Sequence, residues 1–321
     1  MDRTRRTFLA GAVGLAALAA EGAYTASRAQ AVSADKAKSA PDRPRAAREP
    51  FVVRSADGTM LAGEAQGDVQ APEILFIHGL RQSRLSWEKQ FADPALAGFR
   101  LVGFDLRGHG DSDKPNTLDA YSDADRWADD IAAVIAGARL RRPVLVGWSL
   151  GGFVAGAYLR KYGGSGIAGI NLVDAVTRLS PDLLTEEAAT FTRTTTSHDL
   201  AERTAATADF LAACFHQPPS EAQMQRMLVV NGMTARAVNE GFVKTRTTDL
   251  EPVFKAYAGP ILLTHGVHDR LVRVAMSERI KSVHPNSRLS LFSESGHSPF
   301  YEEPLRYGQE LAAFAAAAGK G

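Results

Sequence analysis

The chain predicts an α/β fold: a mostly parallel central sheet with helices on both faces and an inserted helical segment. Three observations carry this reading. Short, nearly continuous apolar runs recur from "FVVRS" at 51 to "RLSLFS" at 288–293, as expected of strands buried on both faces of a parallel sheet. Helical apolar spacing fills several of the gaps, and strands alternating with helices build such sheets. The rhythm then breaks between Val176 and Phe254, an interval with no convincing strand. About 80 residues are too many for a plain connection, so the interval is expected to be a helical excursion.

The elements follow in order. "FVVRSADGTMLAGEA" predicts a hairpin turning at Asp57-Gly58, because Asp-Gly suits a tight turn between strands. "EILFIHG", "RLVGFDLRG", "PVLVGWS", "GIAGINLVDA", "PILLTHG" and "RLSLFS" supply the remaining strands. "DADRWADDIAAVIAGARL" places Trp127, Ile131, Val134, Ile135 and Leu140 at mostly helical spacing. Within the excursion, "LAACFHQPPSEAQMQRMLVVNG" does the same with Met224, Met227 and Leu228. Strands resume afterwards, which favours an inserted lid over a separate C-terminal domain. The expected organisation is an export signal at 1–31, a disordered linker at 32–50, a core at 51–175 and 256–321, and a helical lid at 176–255.

The N-terminus differs in kind from the rest. Arg5-Arg6 precede an apolar stretch from Phe8 to Ala20, and Ala29-Gln30-Ala31 follows. That stretch is shorter than the about 20 residues a bilayer span requires. A basic start, a short apolar core and small residues near 31 predict a secretory signal. "TRRTFL" resembles the twin-arginine export motif, whose paired arginines are read by a receptor; an ordinary secretory signal is the alternative. The expected location is periplasmic or secreted, with the twin-arginine machinery as a transient partner and no stable membrane anchor. Residues 32–50, rich in Ala, Pro and charge, lack apolar periodicity and read as linker.

Composition narrows the function. The 321 residues are 45% hydrophobic with a formal net charge of +1, which offers core for a globular domain but no basic footprint for nucleic acid. Cys214 is the single cysteine, so an internal disulfide and a cysteine-based zinc cluster are both excluded. It reads as a small buried hydrophobe.

"GWSLGGF" at 147–153 carries the chemistry. A G-x-S-x-G match arises about 0.1 times by chance in a chain of this length. Its setting is more telling, because "PVLV" before it reads as a strand and "VAGAYLRKY" after it as a helix. Gly147 and Gly151 leave room for a sharp turn that exposes Ser149 at the sheet's C-terminal edge. A serine that merely capped the helix would not need glycines on both sides. A serine hydroxyl requires a base, and His297 in "SESGHSPFYEEP" follows the final strand. The imidazole in turn requires a carboxylate. Asp269 in "LLTHGVHDRLV" follows the next-to-last strand; Asp174, at the end of "GINLVDA", is the rival, and Asp105 reads as turn support. His265 and His268 flank Asp269 in a way that hints at a metal, but no further ligands complete a set. No metal and no cofactor are expected.

These segments resemble the α/β-hydrolase fold superfamily, in the branch of lidded esterases, lactonases and cofactor-free haloperoxidase-like enzymes. The resemblance spans about 51–175 and 256–321 and rests on "FIHGL", "FDLRGHGDSDKP", "GWSLGG", "HGVHDRLV" and "SGHSPFYEEP". It implies the chain order Ser149, Asp269, His297, with the backbone N–H groups of Leu80 and Leu150 as oxyanion donors. His78 would brace the oxyanion loop, and Arg107 and Asp111 would be structural. Haloalkane dehalogenases and epoxide hydrolases of this fold carry aspartate where this chain has Ser149, so those activities are not expected. The implied function is hydrolysis of a small carboxylic ester or lactone through an acyl-enzyme. Perhydrolysis, C–C bond hydrolysis and ligand binding with little turnover remain as alternatives.

Overall fold

A computed structural model describes residues 47–320. The expected export signal and most of the expected linker lie outside the described residues. Eight strands form one sheet: β1 (Glu49–Arg54), β2 (Met60–Gln66), β3 (Glu73–Ile77), β4 (Arg100–Phe104), β5 (Val144–Trp148), β6 (Gly169–Val173), β7 (Ile261–Gly266) and β8 (Ser287–Phe292). Their order is β1-β2-β4-β3-β5-β6-β7-β8. The β1–β2 and β2–β4 pairs are antiparallel, and all others are parallel. The first strand thus starts at Glu49, inside the tail of the expected linker. Gly58 turns the hairpin with φ 93°.

Burial follows position in the sheet. Every residue of β3, β4, β5, β6 and β7 is buried, whereas β2 alternates and β1 is largely exposed. Alternate residues of one strand feed opposite faces: Leu75 and Ile77 join one apolar cluster, Ile74 and Phe76 the other. The continuous apolar runs arise because both faces need filling.

The principal helices are α1 (Ala124–Gly137), α2 (Leu150–Tyr162), α3 (Glu186–Thr194), α4 (Leu200–Ala213), α5 (Glu221–Gly232), α6 (Arg236–Phe242), α7 (Glu251–Ala256), α8 (Ala275–Val283) and α9 (Pro304–Ala318). Asp123 caps α1 by accepting the Asp125 N–H. Trp127, Ile131 and Val134 then bury one side of α1 against the first cluster; full burial of such side chains contributes about 1.5–3 kcal/mol each. Leu140 falls beyond the helix, after Arg139 at φ 56°. On the opposite face, α9 contributes Tyr307, Leu311 and Ala315.

Between β6 and β7 the chain is helical, carrying α3 to α7 and only isolated bridges, Arg178 to Asp249 within the segment and Leu184 to Val272 against the core. The stretch quoted as one helical pattern, 211–232, is two helices. Pro218-Pro219 interrupt it, and Ser220 with Gln223 forms a capping box that starts α5 afresh. Among the described residues no helix is long and apolar enough to cross a membrane.

Candidate active site

Ser149 sits between the end of β5 and the start of α2 with φ 53° and ψ −115°. A non-glycine residue at such angles carries backbone strain of about 1–3 kcal/mol, which surrounding contacts have to offset. Here the Ser149 N–H donates to Val173 O at 3.0 Å, and its carbonyl accepts the N–H groups of Gly152 and Val176, each at 3.0 Å. The flanking glycines are steric requirements. A Cβ on Gly147 would stand 2.6 Å from Gly151 O, and one on Gly151 would stand 2.2 Å from Ile77 O.

His297 lies between β8 and the short helix Pro299–Glu302 and is almost fully buried. Its Nδ1 is 2.7 Å from Asp269 Oδ2. Asp269 Oδ1 accepts the N–H groups of Leu271 at 2.7 Å and Val272 at 3.0 Å. Burial alone would raise the Asp269 pKa, but the charge of His297 and hydrogen bonds from His265 and His297 outweigh it and hold the carboxyl well below its usual range. The Asp269–His297 pair is therefore held with the carboxylate ionised. The histidine's backbone is pinned as well: Trp148 Nε1 donates to His297 O at 2.6 Å. Glu302 bridges two segments, accepting the N–H groups of His216 (2.7 Å) and Gln217 (2.8 Å) with Oε1 and that of Gly296 (2.8 Å) with Oε2. Among the described residues, Ser149 Oγ makes no hydrogen bond to His297; Trp148, which precedes the serine, lies 5.7 Å from the imidazole between ring centroids.

Asp174 stands beside the pair without replacing Asp269. It is fully buried at φ 43°, and its Oδ1 accepts the Gly266 N–H at 2.9 Å. Single oxygens of Asp174 and Asp269 and a nitrogen of His297 all lie within 4.8 Å of one another. Burial and the neighbouring Asp269 charge push the Asp174 carboxyl well above its usual range, against the pull of His265. His265 and His268 do not converge on a common point. His265 Nδ1 lies 2.8 Å from Ser277 Oγ, and its Nε2 lies 3.0 Å from Val272 O, 3.4 Å from Asp269 Oδ2 and 3.6 Å from Asp174 Oδ1, whereas His268 stacks on His216.

The "HGL" loop abuts the serine, since a Cβ on Gly79 would come 3.3 Å from Ser149 Cβ. Leu80 lines a cavity with Ser149, and Leu150 opens α2. His78 braces this loop, with Nδ1 2.7 Å from Gly79 O and Nε2 accepting the Leu106 N–H at 3.0 Å. His109, which the sequence reading passed over, does the same work from the next loop: its Nε2 accepts the Arg81 N–H at 3.1 Å. Asp105 accepts the N–H groups of Arg84 and Asp111 and pairs with the Arg84 guanidinium. Arg107 is buried against Asp130 and Asp57, and Asp111 pairs with Arg84.

A cavity of about 130 Å³ at Ser149 is lined largely by residues between β6 and β7, including Phe191, Phe210 and Phe242. The profile of the alpha/beta hydrolase fold matches residues 72–304. The chain belongs to the α/β hydrolase fold family. Among curated relatives of this hydrolase, a bifunctional esterase/perhydrolase from Acinetobacter calcoaceticus is 29% identical, covering 82% of this chain and 98% of its own. A non-heme haloperoxidase from Rhodococcus erythropolis is 31% identical, covering 77% and 92%. A solved structure from Burkholderia cenocepacia, described as a candidate aryl esterase, is 39% identical with a TM-score of 0.81 and covers 85% of this chain and 100% of its own. The hydrolase thus has the eight-stranded, mostly parallel sheet its sequence implies, and relatives that include esterases and haloperoxidases.

Proposed function

We propose that this hydrolase cleaves a small carboxylic ester or lactone through an acyl-enzyme. The Asp269–His297 hydrogen bond of 2.7 Å carries the reading, because it fixes the Nδ1–H tautomer and leaves Nε2 basic for Ser149. Ser149 Oγ bonds to the substrate carbonyl carbon while its proton passes to His297 Nε2. The tetrahedral oxyanion is held by the N–H groups of Leu80 and Leu150, donors that need not reorganise as charge develops. Collapse breaks the C–O bond, and His297 returns the proton to the leaving alkoxide. Water then attacks the acyl-enzyme, giving a proton to His297; collapse breaks the bond between the acyl carbon and Ser149 Oγ, His297 returns the proton to Oγ, and the carboxylic acid leaves. The apolar lining of Phe191, Phe210 and Phe242 suits the hydrocarbon part of such a substrate.

Turnover of short p-nitrophenyl esters tests this, with Ser149→Ala expected to remove the activity; equal turnover by that variant would refute the role of the serine. The relatives named as a perhydrolase and a haloperoxidase favour perhydrolysis as a second reading. In it, hydrogen peroxide replaces water at the acyl-enzyme and the product is a peracid, which an assay with acetate and peroxide detects. We also propose export by the twin-arginine route, on the strength of Arg5-Arg6 and the apolar stretch that follows them.

A further inference from the structure

Arg81 follows the proposed oxyanion residue Leu80 directly and lines the same cavity as Ser149. Only 7% of it is exposed. Its Nη2 donates to Thr207 Oγ1 at 2.6 Å, which holds the guanidinium against α4. Its Nε and Nη1 are buried without any hydrogen-bond partner. Among the described residues it forms no ion pair with a carboxylate, and the charged neighbour it feels is another cation, Arg203. The Arg203 Nη1 is spent on Ser197 O. Burial, with the Arg203 charge, lowers the Arg81 pKa to about 10, so the guanidinium stays charged at neutral pH.

A buried charge without a partner is strongly unfavourable, and proteins seldom retain one unless something completes it. The other buried arginine near this loop shows the contrast: Arg107 is matched by Asp130 and Asp57. The remaining walls of the cavity are mainly apolar, apart from Thr192, Thr195 and Asn239. Asn239 Oδ1 is also buried and unpartnered, and an amide can turn its NH₂ towards an anion. The arrangement is an apolar chamber with one buried cation, two of whose nitrogens have no acceptor, next in the chain to the oxyanion loop.

We infer that Arg81 binds a carboxylate carried by the substrate, so that the preferred ester or lactone is anionic, a half-ester of a dicarboxylic acid being the simplest example. This rests on the ester-hydrolase reading and narrows it. The planar guanidinium matches a carboxylate with paired N–H donors. Bound there, the anion neutralises the charge and gives an orphaned nitrogen, with its neighbour Nη2, an acceptor. The apolar walls take the chain that separates it from the scissile carbonyl.

Hydrolysis of monoethyl adipate against ethyl hexanoate, followed by pH-stat, is the test. The wild-type kcat/KM is expected to favour the anionic ester by about 10- to 100-fold, the range expected of a charge-assisted hydrogen bond to a buried group. Arg81→Met should collapse that ratio, chiefly through KM, while Arg81→Lys keeps part of it as a charge without the fork. Adipate binding measured by calorimetry gives a readout independent of turnover, expected for the wild type and lost in Arg81→Met. A wild-type ratio of one or below, or a ratio that survives Arg81→Met, overturns the inference; the wild-type ratio decides alone should the variant not fold. Adipate binding with neither ester cleaved sinks the hydrolase reading only. Cleavage of ethyl hexanoate with no adipate preference and no adipate binding sinks the carboxylate site only.

Discussion

Acidification between pH 6.5 and pH 4 is expected to destabilise the protein through the two histidines that brace the oxyanion loop. His78 Nε2 faces the Leu106 N–H and His109 Nε2 faces the Arg81 N–H, so each ring has to be neutral with its proton on Nδ1. Nδ1 donates to Gly79 O in the first and to Arg107 O in the second. A second proton would set donor against donor in rings 5.0 Å apart. Burial lowers the His78 pKa from 6.5 to about 4, and burial together with the His78 charge lowers that of His109 to about 3. The unfolded chain takes up these protons near pH 6.5, whereas the folded chain resists until about pH 4. The contribution of these two histidines is therefore full above pH 6.5 and declines as pH falls through this window. The His78 shift alone corresponds to about 3 kcal/mol at 1.36 kcal/mol per pH unit. For a domain of this size that is roughly a 6–12 °C fall in Tm. Carboxylates with depressed pKa values, Asp57 and Asp269, lose their stabilisation only below about pH 4, whereas Asp174, Asp130 and Glu302, whose pKa values are raised, gain stabilisation as pH falls within the window, so the difference between wild type and a histidine variant isolates the effect. Calorimetric Tm measured from pH 7 to pH 4.5 for wild type and His78→Gln is the assay. The variant should start lower and fall less steeply. A His78→Gln slope equal to the wild type's would refute the argument.

Two further outcomes are expected. Asp269→Asn should lower kcat by roughly 10⁴, as for a carboxylate that fixes a catalytic imidazole, while Asp174→Asn should cost far less because its Oδ1 serves Gly266; stopped assays of both purified variants decide, and equal losses would reject the assignment of Asp269. Replacing Arg5 and Arg6 by Lys should retain precursor in the cytoplasm, and undiminished periplasmic activity in fractionated cells would reject the twin-arginine route.

The parts of the fold visible in the sequence are those set by local pattern. Continuous apolar runs marked the buried strands, and the glycines at 147 and 151 marked the turn that their steric surroundings demand. The region 176–254 was legible as helical because it lacked strand signals, but its break at 214–220 was not, since Met224 and Leu211 continue one apolar spacing across it. For the site, Ser149, Asp269 and His297 each follow a strand at the same sheet edge, and that placement is a topological fact readable from order. Asp174 meets the same criterion. What separates them is spatial: Asp174 turns at φ 43° and accepts the Gly266 N–H, whereas Asp269 reaches His297 Nδ1 and accepts the Leu271 and Val272 N–H groups. Arg81 and His109 were illegible for another reason. Their partners, Thr207 and the loop at 81, lie far away in sequence, and nothing in "HGLRQS" says which arginine turns inward.

Glu302 has a bearing on how this enzyme could be recombined with its relatives. One carboxylate fastens the histidine loop at Gly296 and the inserted segment at His216 and Gln217. A chimera that exchanged the whole interval between β6 and β7 would therefore alter more than the chamber walls. Unless the donor segment brought two N–H groups to the same spot, Glu302 would lose two of its three acceptor bonds, and the slack would reach the residue next to His297. Cutting the graft at Ala213 instead leaves this fastening with the recipient, and transfers Phe191 and Phe210 without it.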